Sequence, residues 1–185
     1  MQTPVSLTIR PHLVSFLYEE LEGETQAVYG GKKVKLAKIS CTSLIGQLIE
    51  AFKVSGQITT KSKVKSYSVF LTIQENGDQK GMFHEKTLEI HRALELLPEH
   101  VTIINNLLES IFRLSLVQFI KGYTTNNKDY NRVNQAVEQF MIKHNLWDFE
   151  IDPVSLTRLY YRSLKKKSLT RLQNQVSEHS YNFAL

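Results

Sequence analysis

The sequence predicts an α+β protein, in which a small N-terminal sheet with packed helices is followed by a helical C-terminal region. Short alternating apolar segments lie before residue 98, apolar residues at helical spacing fill 98–166, and 185 residues suffice for one sizeable core. We expect an α+β core at 1–123, a helix-turn-helix-like subdomain packed on it at 124–167, and a basic, polar C-terminal tail at 168–185.

The first predicted elements are a strand, a helix and a hairpin. Residues 5–9 alternate apolar and polar side chains, which predicts a strand. After Pro11 the apolar residues share one helical face opposite three glutamates, which predicts an amphipathic helix. Residues 27–39 contain the Gly30-Gly31 pair, and this segment favours a hairpin or a bulged strand with its lysines outward.

A second helix and two further strand segments follow. Thr42 or Ser43 can cap this helix. Residues 61–65 have the composition of a basic loop, and residues 67–73 show the clearest strand pattern in the chain. Residues 88–97 fit neither the helical nor the strand period cleanly, and we interpret them as strand.

The longest predicted helix begins at Pro98 and Glu99 and continues to about Lys121, where Gly122 is expected to end it. Its apolar residues wrap most of the circumference, which is typical of a central core helix. Its most apolar stretch is flanked by charged residues and is much shorter than the roughly 20 residues that cross a bilayer. We therefore expect no membrane association.

Two helices complete the prediction after a polar linker. The first carries an apolar stripe from Val133 to His144, with His144 at the edge of the core. Asp152 and Pro153 then supply the N-cap and first-turn proline of the last helix, which is expected to end near Lys166. The residues predicted to point inward from this last helix are Leu156, Leu159, Tyr160 and Leu164.

Charge is distributed unevenly along the chain. Residues 1–152 hold 17 Lys and Arg and 17 Asp and Glu, so the whole formal excess of +5 lies in residues 153–185. A second basic zone at 27–66 has eight lysines and only Glu50 as an acidic residue. Clustered positive charge attracts polyanions through counterion release, although a solvated lysine surface produces the same pattern.

The last predicted helix presents cations on one face. Arg158, Arg162, Lys165 and Lys166 follow at i, i+4, i+7 and i+8, with Tyr161 alongside. The planar donor fork of arginine suits a phosphate or a guanine edge, so this face is a candidate nucleic-acid contact. The predicted contact residues are Arg158, Tyr161, Arg162, Lys165, Lys166, Lys167 and Arg171, with Lys32, Lys33 and Lys35 as a second footprint.

These patterns favour a non-enzymatic nucleic-acid-binding protein, with DNA favoured over RNA, whose last two helices have the outline of a helix-turn-helix unit. The break at 145–150 is longer than the usual turn, and Asp148 and Glu150 would repel a phosphate. One alternative is a protein-interaction or assembly protein, whose C-terminal helix and tail dock on a protein partner or on another copy. A weaker alternative is an enzyme with a dispersed active site.

Several classes of function find no support in the sequence. The single cysteine, Cys41, has no partner for an intramolecular disulfide, and the first residues lack the pattern of a signal peptide, so we expect a cytoplasmic, reducing environment. The six histidines are scattered without paired ligand spacing, and no Gly-x-Ser-x-Gly motif occurs. We therefore expect no metal, no cofactor and no catalysis.

Overall fold

The computed structural model of the protein describes residues 3–21, 24–59, 67–74, 88–126, 131–149 and 151–165. Strands and helices are both present in these ranges, so the predicted α+β class is confirmed. The chain divides into two compact units, residues 1–109 and residues 110–185, which we call unit 1 and unit 2. The predicted basic loop at 61–65 and the tail at 168–185 lie outside the described residues.

One curled mixed sheet contains the strands of unit 1. Their bounds are β1 Val5–Thr8, β2 Glu24–Tyr29, β3 Lys32–Ser40, β4 Gln57–Thr59, β5 Ser68–Gln74, β6 Leu88–Ile90 and β7 Ala93–Glu95. Their order in the sheet is β4-β7-β1-β5-β3-β2-β6. The predictions at 5–9, 27–39 and 67–73 are confirmed, whereas the short β4 was not predicted from the sequence.

The connection between β6 and β7 is too short for a flat sheet, so the sheet has to be curled. Only His91 and Arg92 separate the two strands, yet they occupy the seventh and second positions in the order. In a flat sheet five strand spacings would hold them ~24 Å apart, whereas three residue steps reach at most ~11 Å. The segment predicted as strand at 88–97 does contain strand, but it is divided into two strands with different partners. β6 pairs with β2, and β7 pairs with β1 and β4.

The sheet encloses an apolar cluster. Its members are Ala27, Tyr29, Val34, Leu36, Phe70, Ile90 and Ala93. Within it, the rings of Tyr29 and Phe70 lie 5.1 Å apart. The hairpin between β2 and β3 turns at Gly30 and Gly31, whose φ angles of 57° and 78° suit a two-residue turn that glycine adopts without strain.

The α-helices have the bounds α1 Pro11–Glu20, α2 Leu44–Lys53, α3 Pro98–Asn126, α4 Arg132–Lys143 and α5 Pro153–Lys165. Ser43 caps α2, because its Oγ accepts a hydrogen bond from the backbone N–H of Gly46 at 3.0 Å. Near the end of α2, the ring of Phe52 stacks on His100 of α3 at 4.1 Å. The predicted cap and helix at this position are confirmed.

Helix α3 continues through Gly122 to Asn126, so the predicted end at Gly122 is wrong. A glycine inside a helix costs only about 1 kcal/mol relative to alanine, which the surrounding helix tolerates. The Oγ1 of Thr124 and that of Thr125 also donate to the carbonyls of Ile120 and Lys121, each at 2.8 Å, one turn back along the helix.

Helix α3 is also long and apolar enough, by length and composition alone, to cross a membrane from Pro98 to Thr125. Core helices of soluble proteins meet the same criterion. Its fully buried residues follow at intervals of three or four and include Ile104, Leu108, Phe112, Leu116 and Ile120. Polar residues such as Asn106, Arg113 and Gln118 are exposed, and so are the apolar Ile103 and Leu114, so burial along α3 is one-sided and 33% of its apolar window is buried.

The core of unit 2 is aromatic. Phe140 of α4 is fully buried, and its ring lies 5.7 Å from Phe112 and 5.5 Å from Phe119. Helix α5 contributes Leu156 and Tyr160, so these two residues point inward as predicted. Leu164 is 41% exposed, which makes its predicted burial wrong, because it lies at the edge of the buried face.

Candidate nucleic-acid interface

The start of α5 is capped as its sequence predicts. Asp152 Oδ1 accepts from the backbone N–H of Val154 at 3.0 Å, and Oδ2 accepts from the Oγ of Ser155 at 3.2 Å. Pro153 occupies the first helical position. The partial positive charge at the start of the helix is therefore compensated by the helix's own carboxylate, Asp152. Any anion bound by α5 would have to be held by side chains further along the helix.

The basic face lies in the second half of α5. Arg158, Arg162 and Lys165 are all exposed, opposite the buried Leu156 and Tyr160. At 100° per residue they share an arc of about 60°, and Arg158 and Lys165 are separated by ~10 Å along the axis. No acidic residue occurs between residues 153 and 165. Arg158, Arg162 and Lys165 are thus three neighbouring exposed cations on one face of α5.

Tyr161 lies beside these cations. Its side chain is 50% exposed, and its ring makes an edge contact with the ring of Tyr160, with centroids 5.4 Å apart and planes at 62°. Tyr160 is buried, so it gives Tyr161 a fixed support on one side. The other predicted contact residues, Lys166, Lys167 and Arg171, lie outside the described residues.

The second predicted footprint lies on β3. Lys32, Lys33 and Lys35 are exposed, but strand alternation places Lys32 on the opposite face of the sheet from the other two. Lys35 Nζ lies 5.3 Å from the ring centroid of Tyr18, whose hydroxyl donates to the Lys35 carbonyl at 2.9 Å. Lys35 is therefore held against α1, and the three lysines do not form a single face.

The connection between α4 and α5 consists of residues 144–152 and contains a short 3₁₀ turn at Trp147–Phe149. His144 precedes this turn, is 1% exposed, and packs its ring 4.4 Å from that of Phe140, so it is buried more deeply than the predicted position at the edge of the core. Burial, together with the neighbouring Lys143, lowers the pKa of His144 from 6.5 to about 4. The imidazole is therefore neutral at pH 7 and does not add to the basic face.

A polar network that the sequence reasoning missed lies in unit 1. Glu109 Oε2 accepts from Arg10 at 3.1 Å and lies 2.8 Å from His12 Nε2. Arg10 also donates to Asn106 Oδ1 at 3.0 Å, and its backbone N–H donates to Asn105 Oδ1 at 2.9 Å. These contacts fasten the start of α1 to α3. The adjacent asparagines within an otherwise apolar helix pattern were the only local signal.

Within the described parts of the chain, no group of three or more His, Cys, Asp or Glu side chains could hold a metal ion. Comparison of the chain with protein-family models, curated proteins and solved structures gives no match.

Proposed function

We propose that the protein is a non-enzymatic nucleic-acid-binding protein, with DNA favoured over RNA, that contacts phosphates through the exposed face of α5. The observation that carries the proposal is the grouping of Arg158, Arg162 and Lys165 on one arc of a helix without acidic residues. Neighbouring cations of this kind release condensed counterions from a polyanion, which supplies most of the affinity of non-specific binding.

The charge of unit 2 as a whole supports the same proposal. Residues 110–185 hold 11 Lys and Arg and 6 Asp and Glu, so this unit attracts a polyanion at longer range as well. Lys166, Lys167 and Arg171 would extend the contact beyond α5. Helices α4 and α5 are similar to a helix-turn-helix unit only in outline, because their connection is longer than the usual three or four residues.

Fluorescence anisotropy with a labelled 20-nucleotide DNA of mixed sequence, single-stranded or duplex, tests the proposal. We expect binding at 50 mM salt and, if about five phosphates are neutralised, a slope of log K against log salt of about −4 to −5 on duplex DNA. Reversing Arg158, Arg162 and Lys165 together to Glu is expected to abolish most of this binding. Binding that is absent at low salt, or unchanged in this variant, would refute the proposal.

A matched control is available in unit 2. Arg113, Arg132 and Lys143 are exposed cations outside α5, and reversing all three produces the same change in net charge. We expect this control to weaken binding much less than the α5 variant. Equal losses in the two variants would show that bulk charge, and not the α5 face, drives binding.

A second candidate function, protein interaction or assembly, is favoured by apolar exposure on the same helix. Val154, Tyr161 and Leu164 are all between 41% and 51% exposed. Light scattering on the full chain and on a chain ending at Lys167 tests this candidate. Loss of an oligomer on truncation, together with no nucleic-acid binding by the full chain, would favour assembly.

A further inference from the structure

The exposed tyrosine on α5 suggests which form of nucleic acid the protein binds. Tyr161 lies beside two cations on the helix surface, with Arg158 three residues before it and Lys165 four residues after it. A strand whose phosphates contact these cations would bring its bases within reach of the ring. Within a duplex the bases are stacked on each other, whereas a single strand can present its base faces to an aromatic side chain.

The contact with Tyr160 prepares Tyr161 for such a role. Because the buried Tyr160 ring supports it at 5.4 Å, Tyr161 loses less conformational freedom when a base stacks on it. Half of the Tyr161 side chain nevertheless remains exposed. An aromatic ring that is held in place and open to solvent is the arrangement on which bases stack in proteins that bind single strands.

The first turn of α5 argues against insertion into a duplex groove. Recognition helices of the helix-turn-helix class contact base edges with their N-terminal residues. Here that end carries the Asp152 carboxylate and the exposed Val154, and the first cation is Arg158 in the second turn. A carboxylate placed between the phosphates that line a groove would be repelled, so the second half of the helix is the usable surface.

We propose that Tyr161 is a base-stacking side chain and that the α5 face binds single-stranded nucleic acid in preference to duplex, an inference that rests on the proposed function. The cations hold the backbone, and the ring adds an attraction that depends on free base faces and not on sequence. The preference for single strands therefore comes from Tyr161, while the salt dependence comes from Arg158, Arg162 and Lys165.

The test is anisotropy of the full chain with a labelled 15-nucleotide DNA of mixed sequence, as a single strand and as its duplex, at one salt concentration. We expect the wild type to bind the single strand at least about fivefold more tightly than the duplex. Tyr161→Leu is expected to weaken single-strand binding about 5- to 100-fold with little effect on the duplex, as stacking on one base predicts. Tyr161→Phe keeps the ring and is expected to bind like the wild type.

Tyr67→Leu is the matched control, because Tyr67 is a 43% exposed tyrosine in unit 1 and its substitution is expected to leave both affinities unchanged. Circular dichroism checks that each variant is folded. Duplex binding as tight as single-strand binding by the wild type, or equal losses on both forms in Tyr161→Leu, would overturn this inference and leave the proposed function standing. Failure of the wild type to bind either form would overturn both.

Discussion

The two units of the chain use their charged residues differently. Unit 1 holds 12 Lys and Arg and 12 Asp and Glu, whereas unit 2 holds 11 and 6. In unit 1 the described cations include Arg10 on Glu109, Lys53 on Glu50 at 2.6 Å and Lys35 on the ring of Tyr18. On α5 of unit 2, three cations share one exposed face without an acidic residue on their helix.

This difference shows that the placement of cations, and not their number, singles out a candidate interface. Lys32, Lys33 and Lys35 are as numerous as the α5 cations, yet strand alternation divides them between two faces of the sheet. A helix brings residues three and four apart together, so the same number of charges forms a compact patch. Unit 1 is therefore balanced in charge, whereas unit 2 holds the proposed interface.

The largest expected effects come from the two aromatic cores. Phe70 in unit 1 and Phe140 in unit 2 are both fully buried, so replacing either with alanine is expected to lower the free energy of unfolding by about 3–5 kcal/mol. Trp147 is the only tryptophan and lies in unit 2. The unfolding transition in urea, followed by the fluorescence of Trp147, is expected to shift to lower urea in Phe140→Ala. A smaller shift of the Trp147 transition is expected in Phe70→Ala, and an equal shift would show that the two units unfold together.

The next effect compares the two basic zones directly. Reversal of Arg158, Arg162 and Lys165 to Glu is expected to reduce nucleic-acid affinity about 100-fold or more at 0.1 M salt, and to reduce the salt slope by about 2 to 3. Reversal of Lys32, Lys33 and Lys35 is expected to reduce affinity less than tenfold, because these lysines do not share a face. Anisotropy in a salt series measures both. Similar losses would show that β3 is a second footprint of equal weight.

A pH effect is expected in unit 2 from His144. Its pKa is lowered to about 4 in the folded protein and is near 6.5 when exposed, so protons bind the unfolded chain first as the pH falls. Stability from this group is present above pH 6.5 and declines through the interval down to pH 4, by up to about 3 kcal/mol. Urea unfolding followed by Trp147 at pH 7 and pH 4 measures the loss.

His144→Phe is the control for this pH effect, since it keeps a ring against Phe140 and cannot take up a proton. Carboxylates titrate in the same interval in both proteins, so the difference between wild type and variant isolates the histidine. An identical pH dependence in the two proteins would contradict the assignment. The described part of unit 1 has no buried histidine, so this pH effect is expected in unit 2.

Most secondary structure could be predicted because its signals are local. The Gly30-Gly31 turn, the Ser43 cap and the Asp152-Pro153 start of α5 each depend on neighbouring residues, and each is present in the structure. The strand β4 was missed because three residues carry too little pattern, and the division of 88–97 into β6 and β7 depends on distant pairing partners. Local patterns do not contain that information.

The candidate site was predictable to a similar extent. Helical spacing was sufficient to place Arg158, Arg162 and Lys165 on one exposed face. The same spacing predicted Tyr160 inward and Tyr161 outward beside the cations, and their burial agrees, whereas Leu164 was predicted inward and is exposed. The Arg10–Glu109 contact joins residues 99 apart in sequence and left no periodic signal.

The smallest effects compare one cap in each unit, Ser43 in unit 1 and Asp152 in unit 2. Ser43→Ala and Asp152→Ala each remove a side-chain acceptor from a first turn, and each is expected to cost about 1 kcal/mol of stability in urea unfolding. Asp152→Asn keeps an acceptor and removes the charge, so it is expected to be nearly neutral for stability.

Because the carboxylate lies on the same helix as the basic face, Asp152→Asn is also expected to bind DNA a few-fold more tightly at low salt, an effect that salt screens. An unchanged affinity in Asp152→Asn would show that bound phosphates lie beyond the reach of the first turn, which would move the contact toward Lys165 and the residues after it.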